Sequence, residues 1–493
     1  MNYFVTNQLY YQLSGIEIAQ KQRLNLFHQH NEAAKIITVE YSAYGHLNLM
    51  HNGLTDRQTI NLFDYFQEAT VGLVPIETAV TVARLGRLTG NPNVQLFQNR
   101  DDGFNYPFVS QQVSSVNWSD PTTGRPLRQD WYDVRGFRSS SHFFDQDGRE
   151  NWVIYWNYRT QKPAIIHWRR SGSYLLNYQR RQYNFENFIA LKRFFFDELV
   201  ETPNTRFFSD RAETTNAALF QMKHQVIIYI MLHSAHTYDR NQPLTSRLNN
   251  SMAFEMQHAD RFKGFITGTP RQAQDVQVRT GKPAISIPIG FVNKPIPVEQ
   301  LNPVSQREQT VIYVSRVSRE KRIEDFIQIV GQLHAKLPDL RAEIWGYVTD
   351  DEYFRELQDQ ITRLGLKEVV SFKGFTLDLT RVYQRVRLLV LTSRYEAFNL
   401  SIIESMTQGT PVAAYDVHYG PKDIIQAGED GFISESGNIN QMVNGITSLL
   451  IDDEQWTQFS ERAAQNITRF NSEMVWQRWD NLLQNGVQSL QED

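Results

Sequence analysis

The feature that most constrains this chain is the rhythm of its C-terminal half. Short apolar runs at 311–315, 342–345, 369–372, 388–392 and 412–415 alternate with segments of helical period. Between the first two runs, Ile323, Phe326, Ile327, Val330, Leu333 and Leu337 repeat at helical spacing and stop at Pro338. Each helix returns the chain to the same end of the sheet, so strand–helix–strand alternation predicts a parallel, doubly wound sheet. Its ligand crevice is then expected at the carboxyl ends of the strands. Residues 226–232 form a continuous apolar run suited to a strand buried on both faces, followed by short runs at 265–267 and 284–288. Residues 293–305, with Pro295, Pro297 and Pro303, read as a linker between two α/β regions.

A different pattern interrupts the first α/β region. Residues 152–158 (WVIYWNY) are aromatic and β-branched, and turn dipeptides recur at Asp102-Gly103, Asp147-Gly148 and Ser171-Gly172. This predicts an inserted antiparallel β-meander. The chain holds 30 Phe, 22 Tyr and 9 Trp, concentrated between Phe97 and Phe196, more than one small sheet can bury. Part of that aromatic surface is therefore expected to meet a partner. Upstream, 3–5 read as a strand, and Ile16, Ala19, Leu24 and Phe27 share one helical face after Ser14-Gly15. The expected organisation is an N-terminal Rossmann-like domain (1–75 and 184–297), the β-rich insertion (76–183), a second Rossmann-like domain (298–475), and a terminal helix (476–493) packing back on the first.

Composition narrows the function. A length of 493 residues predicts two or three domains. The absence of cysteine excludes disulfides, zinc–thiolate sites and thiol nucleophiles, and a net charge of -4 gives no nucleic-acid footprint. The opening residues lack the apolar core of a secretory signal, and no apolar run approaches the ~20 residues that span a bilayer. A cytoplasmic protein with at most peripheral membrane contact is expected.

The chemistry-bearing segment is TSRYEAFNLSIIESMTQGTPVAAYD, residues 392–416. It begins where a predicted strand ends, so Glu396 falls in a loop at the ligand edge. Asn399 is placed to cap a helix that carries Glu404 on its second turn. The amides of Phe398, Asn399, Leu400 and Ser401 at that helix start suit a diphosphate. Glu404 suits ribose hydroxyls, and Glu396 a sugar. Asp145-Gln146-Asp147 spells a metal-binding pattern, but precedes Gly148 at a predicted hairpin tip and reads as a turn.

Glu396 and Glu404, with seven residues between them, resemble the signature of the family 4 retaining glycosyltransferases of the GT-B fold. YVSRVSREKRIEDFI resembles the family's strand followed by Arg-x4-Lys, here Arg316 and Lys321. Such cations stabilise the charge that a departing nucleoside diphosphate develops. Gly346 (IWGYV) and Gly374 (FKGF) sit where the family places glycine turns beside the base. Ser14 and Gly15 match its flexible donor-facing loop, and MLHSAH matches its histidine region, with His233 first and His236 second. Ala397 departs from the family's usual glycine, Asn399 from its usual Gly or Pro, and Ser405 from a frequent alanine. AAYDVHYGPKDII and the opening NQLYYQLSGIEIAQKQRLNLF are similar to a Gram-positive subgroup that glycosylates serine-rich surface adhesins or wall teichoic acid.

The resemblance implies two Rossmann-like domains facing a cleft and retention of anomeric configuration. It implies a UDP-sugar donor, glucose or N-acetylglucosamine, and Ser/Thr hydroxyls of a serine-rich protein as acceptor. Neither a metal nor another cofactor is required. The insertion is expected to mediate homo-oligomerisation or pairing with another subunit. Teichoic acid is the alternative acceptor, and a non-catalytic partner subunit is the alternative of another class. A phosphorylase would need a pyridoxal-phosphate lysine site that the sequence does not offer.

Overall fold

The computed structural model describes residues 1–69, 93–96 (backbone alone), 113–120, 122–376 and 378–487. They form two compact units: residues 1–230 with 260–262, and residues 231–259 with 263–493. The boundary expected at 297/298 falls inside the second unit.

In the first unit, β1 (Asn2–Thr6) lies at the middle of a parallel sheet with β2 (Ala34–Thr38) and β3 (Thr59–Asn61) on one side. On the other side are β12 (Arg206–Ser209) and β13 (Ile227–Leu232), whose last two residues belong to the second unit. Phe4, Ile36, Phe207 and Phe208 are fully buried, as strands covered on both faces require. The predicted helix after Ser14 is Gly15–Gln29, started by a capping box of Ser14 and Glu17. Phe27 on that helix meets Phe4 edge-on at 5.1 Å.

Among the described residues, the insertion is an eight-stranded antiparallel sheet in strict sequence order. Its strands are β4 (Asn93–Leu96), β5 (Val113–Ser119), β6 (Pro126–Tyr132), β7 (Arg138–Phe144), β8 (Glu150–Trp156), β9 (Pro163–Trp168), β10 (Ser173–Tyr178) and β11 (Arg181–Phe185). The turns at Gly148 and Gly172 are present, both with positive φ. The Asp102-Gly103 turn and the start of the insertion at 76 lie outside the described residues. Asp145 is committed to its hairpin, its carboxylate accepting from the amides of Asp147 and Arg149, each at 3.0 Å. Many of the surplus aromatics pack within the unit. Tyr155 meets Phe63, Tyr178 meets Tyr65 and Phe66, and Tyr183 meets Phe194, with ring centroids 4.5–6.0 Å apart. Those partners lie on the helices Leu62–Gln67 and Phe188–Glu198, which flank the insertion in sequence.

In the second unit, β14 (Gly264–Thr267) and β15 (Ala284–Ser286) pair in parallel. Then follow β16 (Glu308–Val314), β17 (Arg341–Trp345), β18 (Val370–Gly374), β19 (Val386–Leu391), β20 (Val412–Asp416) and β21 (Gly431–Glu435), an edge strand the apolar pattern did not reveal. They form one parallel sheet ordered β18-β17-β16-β19-β20-β21. The expected helix of 323–337 is Ile323–Lys336, buried with the Ile439–Ile451 helix on one face of the sheet. Ile402, Ile403 and Met406 of the helix Leu400–Thr407 cover the other face. The prolines of 293–305 start two short 3-10 turns at 298–300 and 304–306. The terminal helix is Ser472–Asn485, with Trp476, Trp479 and Leu482 buried and Arg478 donating to the Ser286 carbonyl at 3.2 Å. Among the described residues, no helix is long and apolar enough to cross a membrane.

Candidate active site

The strand order of the second sheet reverses between β16 and β19, because chain growth leaves β16 toward β18 and resumes on its other side at β19. Ligands bind α/β sheets at the carboxyl ends of the strands flanking such a switch. The loop after β16 carries Arg316 and Lys321; the loop after β19 carries Glu396. Topology thus brings three of the sequence-selected residues to one place.

Hydrogen bonds lock these two loops together. Thr392 Oγ1 donates to the Arg322 carbonyl at 2.8 Å, and the Arg394 amide to the Glu320 carbonyl at 2.9 Å. Lys321 Nζ donates to Glu396 Oε1 at 2.6 Å, and Ser393 Oγ reaches the same oxygen at 2.7 Å. The Lys321 and Glu396 side chains are 15% and 11% exposed, so their attraction is only partly screened. Arg316 is more open and pairs with Glu320 at 3.1 Å. A third loop supports Glu396 from behind: its amide donates to the His418 carbonyl at 3.3 Å, and the Tyr419 amide donates to the Glu396 carbonyl at 2.6 Å. Gly420 follows with φ of 106°, where a Cβ would come within 2.2 Å of the Phe398 carbonyl oxygen.

The helix Leu400–Thr407 begins as expected. Asn399 accepts from the Ser401 amide at 3.1 Å and from its hydroxyl at 2.5 Å. The cap therefore occupies the Ser401 amide that the sequence offered to a phosphate. The Phe398, Asn399 and Leu400 amides make no such bond among the described residues. Glu404 lies one turn on and receives the buried Tyr383 hydroxyl at 3.2 Å. Its side chain is accessible to solvent yet closely surrounded by protein. That surrounding mass raises its carboxyl from 4.5 to about 7, against the downward pull of the Tyr383 donor and with a smaller upward push from Asp378.

Gly346 closes the loop after β16 from the side. Its φ is 145°, and a Cβ there would lie 1.7 Å from the Ser315 oxygen, immediately before Arg316. Its amide donates to the Gly374 carbonyl at 2.8 Å, which ties both selected glycines to this edge. His233 follows β13 and is half-buried. His236, the second choice, is a buried loop histidine whose Nε2 lies 3.1 Å from the Pro243 carbonyl, and burial pulls its pKa down. Ser14 and Gly15 belong to the first unit, where the Ser14 hydroxyl bonds Glu17, itself paired with Arg211 at 2.6 Å.

Sequence reasoning missed Tyr383, His418 and the close contact at Gly420. Tyr383 carries no local signal; His418 and Gly420 fall within the AAYDVHYGPKDII motif, but their contacts with Glu396 and Phe398 are made across the fold.

Parallel α/β sheets of this order give the chain the GT-B fold, and its likeness to known glycosyltransferases places it in that class. Residues 299–466 match the family described as glycosyl transferases group 1. Over its whole length the chain is similar to the UDP-N-acetylglucosamine–peptide N-acetylglucosaminyltransferase GtfA subunit of Streptococcus gordonii, at 24% identity across 94% of this chain and 95% of that one. It is 26% identical to the poly(ribitol-phosphate) alpha-N-acetylglucosaminyltransferase of Staphylococcus aureus, across 60% of this chain and 59% of the relative. The solved pneumococcal O-GlcNAc transferase GtfA, in complex with UDP and GlcNAc, shares the fold with a TM-score of 0.82 at 19% identity over 99% of both chains.

Proposed function

We propose that this chain transfers N-acetylglucosamine or glucose from a UDP-sugar to Ser/Thr hydroxyls of a serine-rich bacterial surface protein, with retention of configuration. The observation that supports the reading most is the joining of Arg316, Lys321 and Glu396 at the switch point of a group 1 domain, with Glu404 on the helix that follows.

In this reading Glu404 accepts the ribose hydroxyls, and the Phe398, Asn399 and Leu400 amides face the diphosphate. Lys321 and Arg316 stabilise the charge on the β-phosphate oxygen as the glycosidic bond breaks. Glu396, held by Lys321 and Ser393, addresses the sugar hydroxyls, and His233 contacts the sugar from the loop after β13. Gly346 and Gly374 border the base, and Ser14 and Gly15 approach the donor phosphate. No carboxylate is required as a nucleophile. The acceptor hydroxyl attacks from the face the phosphate leaves, and its proton passes to that phosphate. The cations at the leaving group make a metal ion unnecessary.

The full-length likeness to a peptide-modifying subunit favours protein as acceptor, and its designation as a subunit supports a paired assembly through the β-rich insertion. The ribitol-phosphate relative supports wall teichoic acid as a second reading. Cytoplasmic action at the inner face of the membrane accords with both. Incubation with a panel of UDP-sugars, reading UDP release with and without a serine-rich peptide or teichoic acid, decides between them. No release from any donor would defeat both readings.

A further inference from the structure

The loop between β13 and the Asn250–Gln257 helix is ordered by its own hydrogen bonds. The Tyr238 amide donates to the Arg247 carbonyl at 3.0 Å, the Asp239 amide to Ser246 Oγ at 2.9 Å, and the Asn241 amide to Asp239 Oδ1 at 3.0 Å. Asn249 closes it, donating to the Ala235 carbonyl at 3.0 Å. At its tip, the Arg240 guanidinium carbon lies 3.2 Å from the centre of the Tyr395 ring, the residue before Glu396.

A guanidinium stacked on a ring keeps its N–H edges free for hydrogen bonds in the plane of the group. Among the described residues no carboxylate forms an ion pair with Arg240. The acid whose field reaches it is Glu320, already paired with Arg316. Arg316 is matched by Glu320 and Lys321 by Glu396, while Arg240 is left over. A half-buried cation with no ion-pair contact among the described residues is suited to an anion, and Arg forks match phosphate oxygens.

We infer that Arg240, supported by Tyr395, is a third phosphate-binding cation of this site and contacts the diphosphate of the donor. The inference rests on the UDP-sugar reading above. It adds a residue delivered by the loop after β13, outside the Arg316/Lys321 pair and outside the matched domain.

The test uses the full-length protein and calorimetric titration with UDP and with uridine. Arg240→Gln should weaken UDP binding about tenfold and leave uridine binding unchanged. Arg240→Lys should recover part of the loss, and Tyr395→Leu should weaken UDP in the same direction while Tyr395→Phe does not. The thermal midpoint of Arg240→Gln should match the wild type, which separates binding from folding. Unchanged UDP affinity in Arg240→Gln, or an equal loss for uridine, overturns the inference. So does unchanged UDP affinity combined with slower transfer to a polyol-phosphate acceptor, which would put the guanidinium on the acceptor's phosphate. A wild type that binds no UDP defeats the functional reading itself, whereas normal wild-type binding with an unaffected Arg240→Gln defeats only the inference.

Discussion

Replacing Lys321 with alanine should damage stability and turnover by separable amounts. The Lys321–Glu396 pair is closed at 2.6 Å, with side chains 15% and 11% exposed. Removing the ammonium strands the carboxylate in a poorly hydrated site, with Ser393 as its remaining side-chain donor. Breaking a buried pair from one side costs about 3–5 kcal/mol, and partial exposure puts this one at about 3 kcal/mol. At about 2–4 °C per kcal/mol, the thermal midpoint should fall by about 6–12 °C. Turnover should fall about 10²- to 10³-fold, the usual loss when one preorganised donor to a developing oxyanion is removed. Adding Glu396→Ala removes the stranded charge, so the double variant should regain most of the lost stability and none of the lost turnover. Differential scanning fluorimetry and single-donor UDP-release kinetics on the four proteins of this cycle read both quantities. A double variant as unstable as Lys321→Ala, or a Lys321→Ala enzyme with wild-type turnover, would refute the reasoning.

Three further perturbations probe separate parts of the site. Arg316→Ala should lower kcat with little change in thermal midpoint, because its ion pair is largely exposed and such pairs contribute about 0–1 kcal/mol; a fall in stability comparable to that of Lys321→Ala would contradict this. Glu404→Ala should chiefly weaken UDP, measured by titration. On the proposed reading the carboxylate form accepts the ribose hydroxyls, so wild-type UDP affinity should rise as pH increases through about 7, where the surrounding protein has moved this carboxyl. Ligand-free stability should move the other way: the folded state holds this proton between 4.5 and about 7, so its contribution is lost as pH rises across that window. Glu404→Gln should flatten both profiles. Gly346→Ala sets a Cβ 1.7 Å from the Ser315 oxygen and should displace Arg316, read as lost turnover in whatever soluble protein is recovered.

The sequence showed the architecture of the second unit well, because each buried strand of a parallel sheet is an apolar run and each crossover helix has a period of its own. It concealed β2, β12 and β21, whose four or five residues (AKIIT, RFFS, GFISE) are too short or too polar to stand out from loops. It exposed the helix start at Asn399 because capping is a local interaction. The strand order β18-β17-β16-β19-β20-β21, which joins Lys321 to Glu396, cannot be read from periodicity, since it depends on which side of β16 the chain returns to. The same holds for Tyr383 on Glu404 and the His418 carbonyl behind Glu396. The surplus of aromatics is visible in composition, but composition does not reveal that the helices Leu62–Gln67 and Phe188–Glu198 supply much of their packing.

The serial order of the β-meander has a consequence for how such a chain can diverge. Among the described residues, every strand from β4 to β11 is hydrogen-bonded only to its neighbours in sequence. A hairpin gained or lost within that sheet leaves the register of both parallel sheets untouched. The insertion can therefore lengthen, shorten or change its surface chemistry by whole hairpins, while the loops after β16 and β19 keep their geometry. The meander and the switch-point loops are thus free to evolve at different rates.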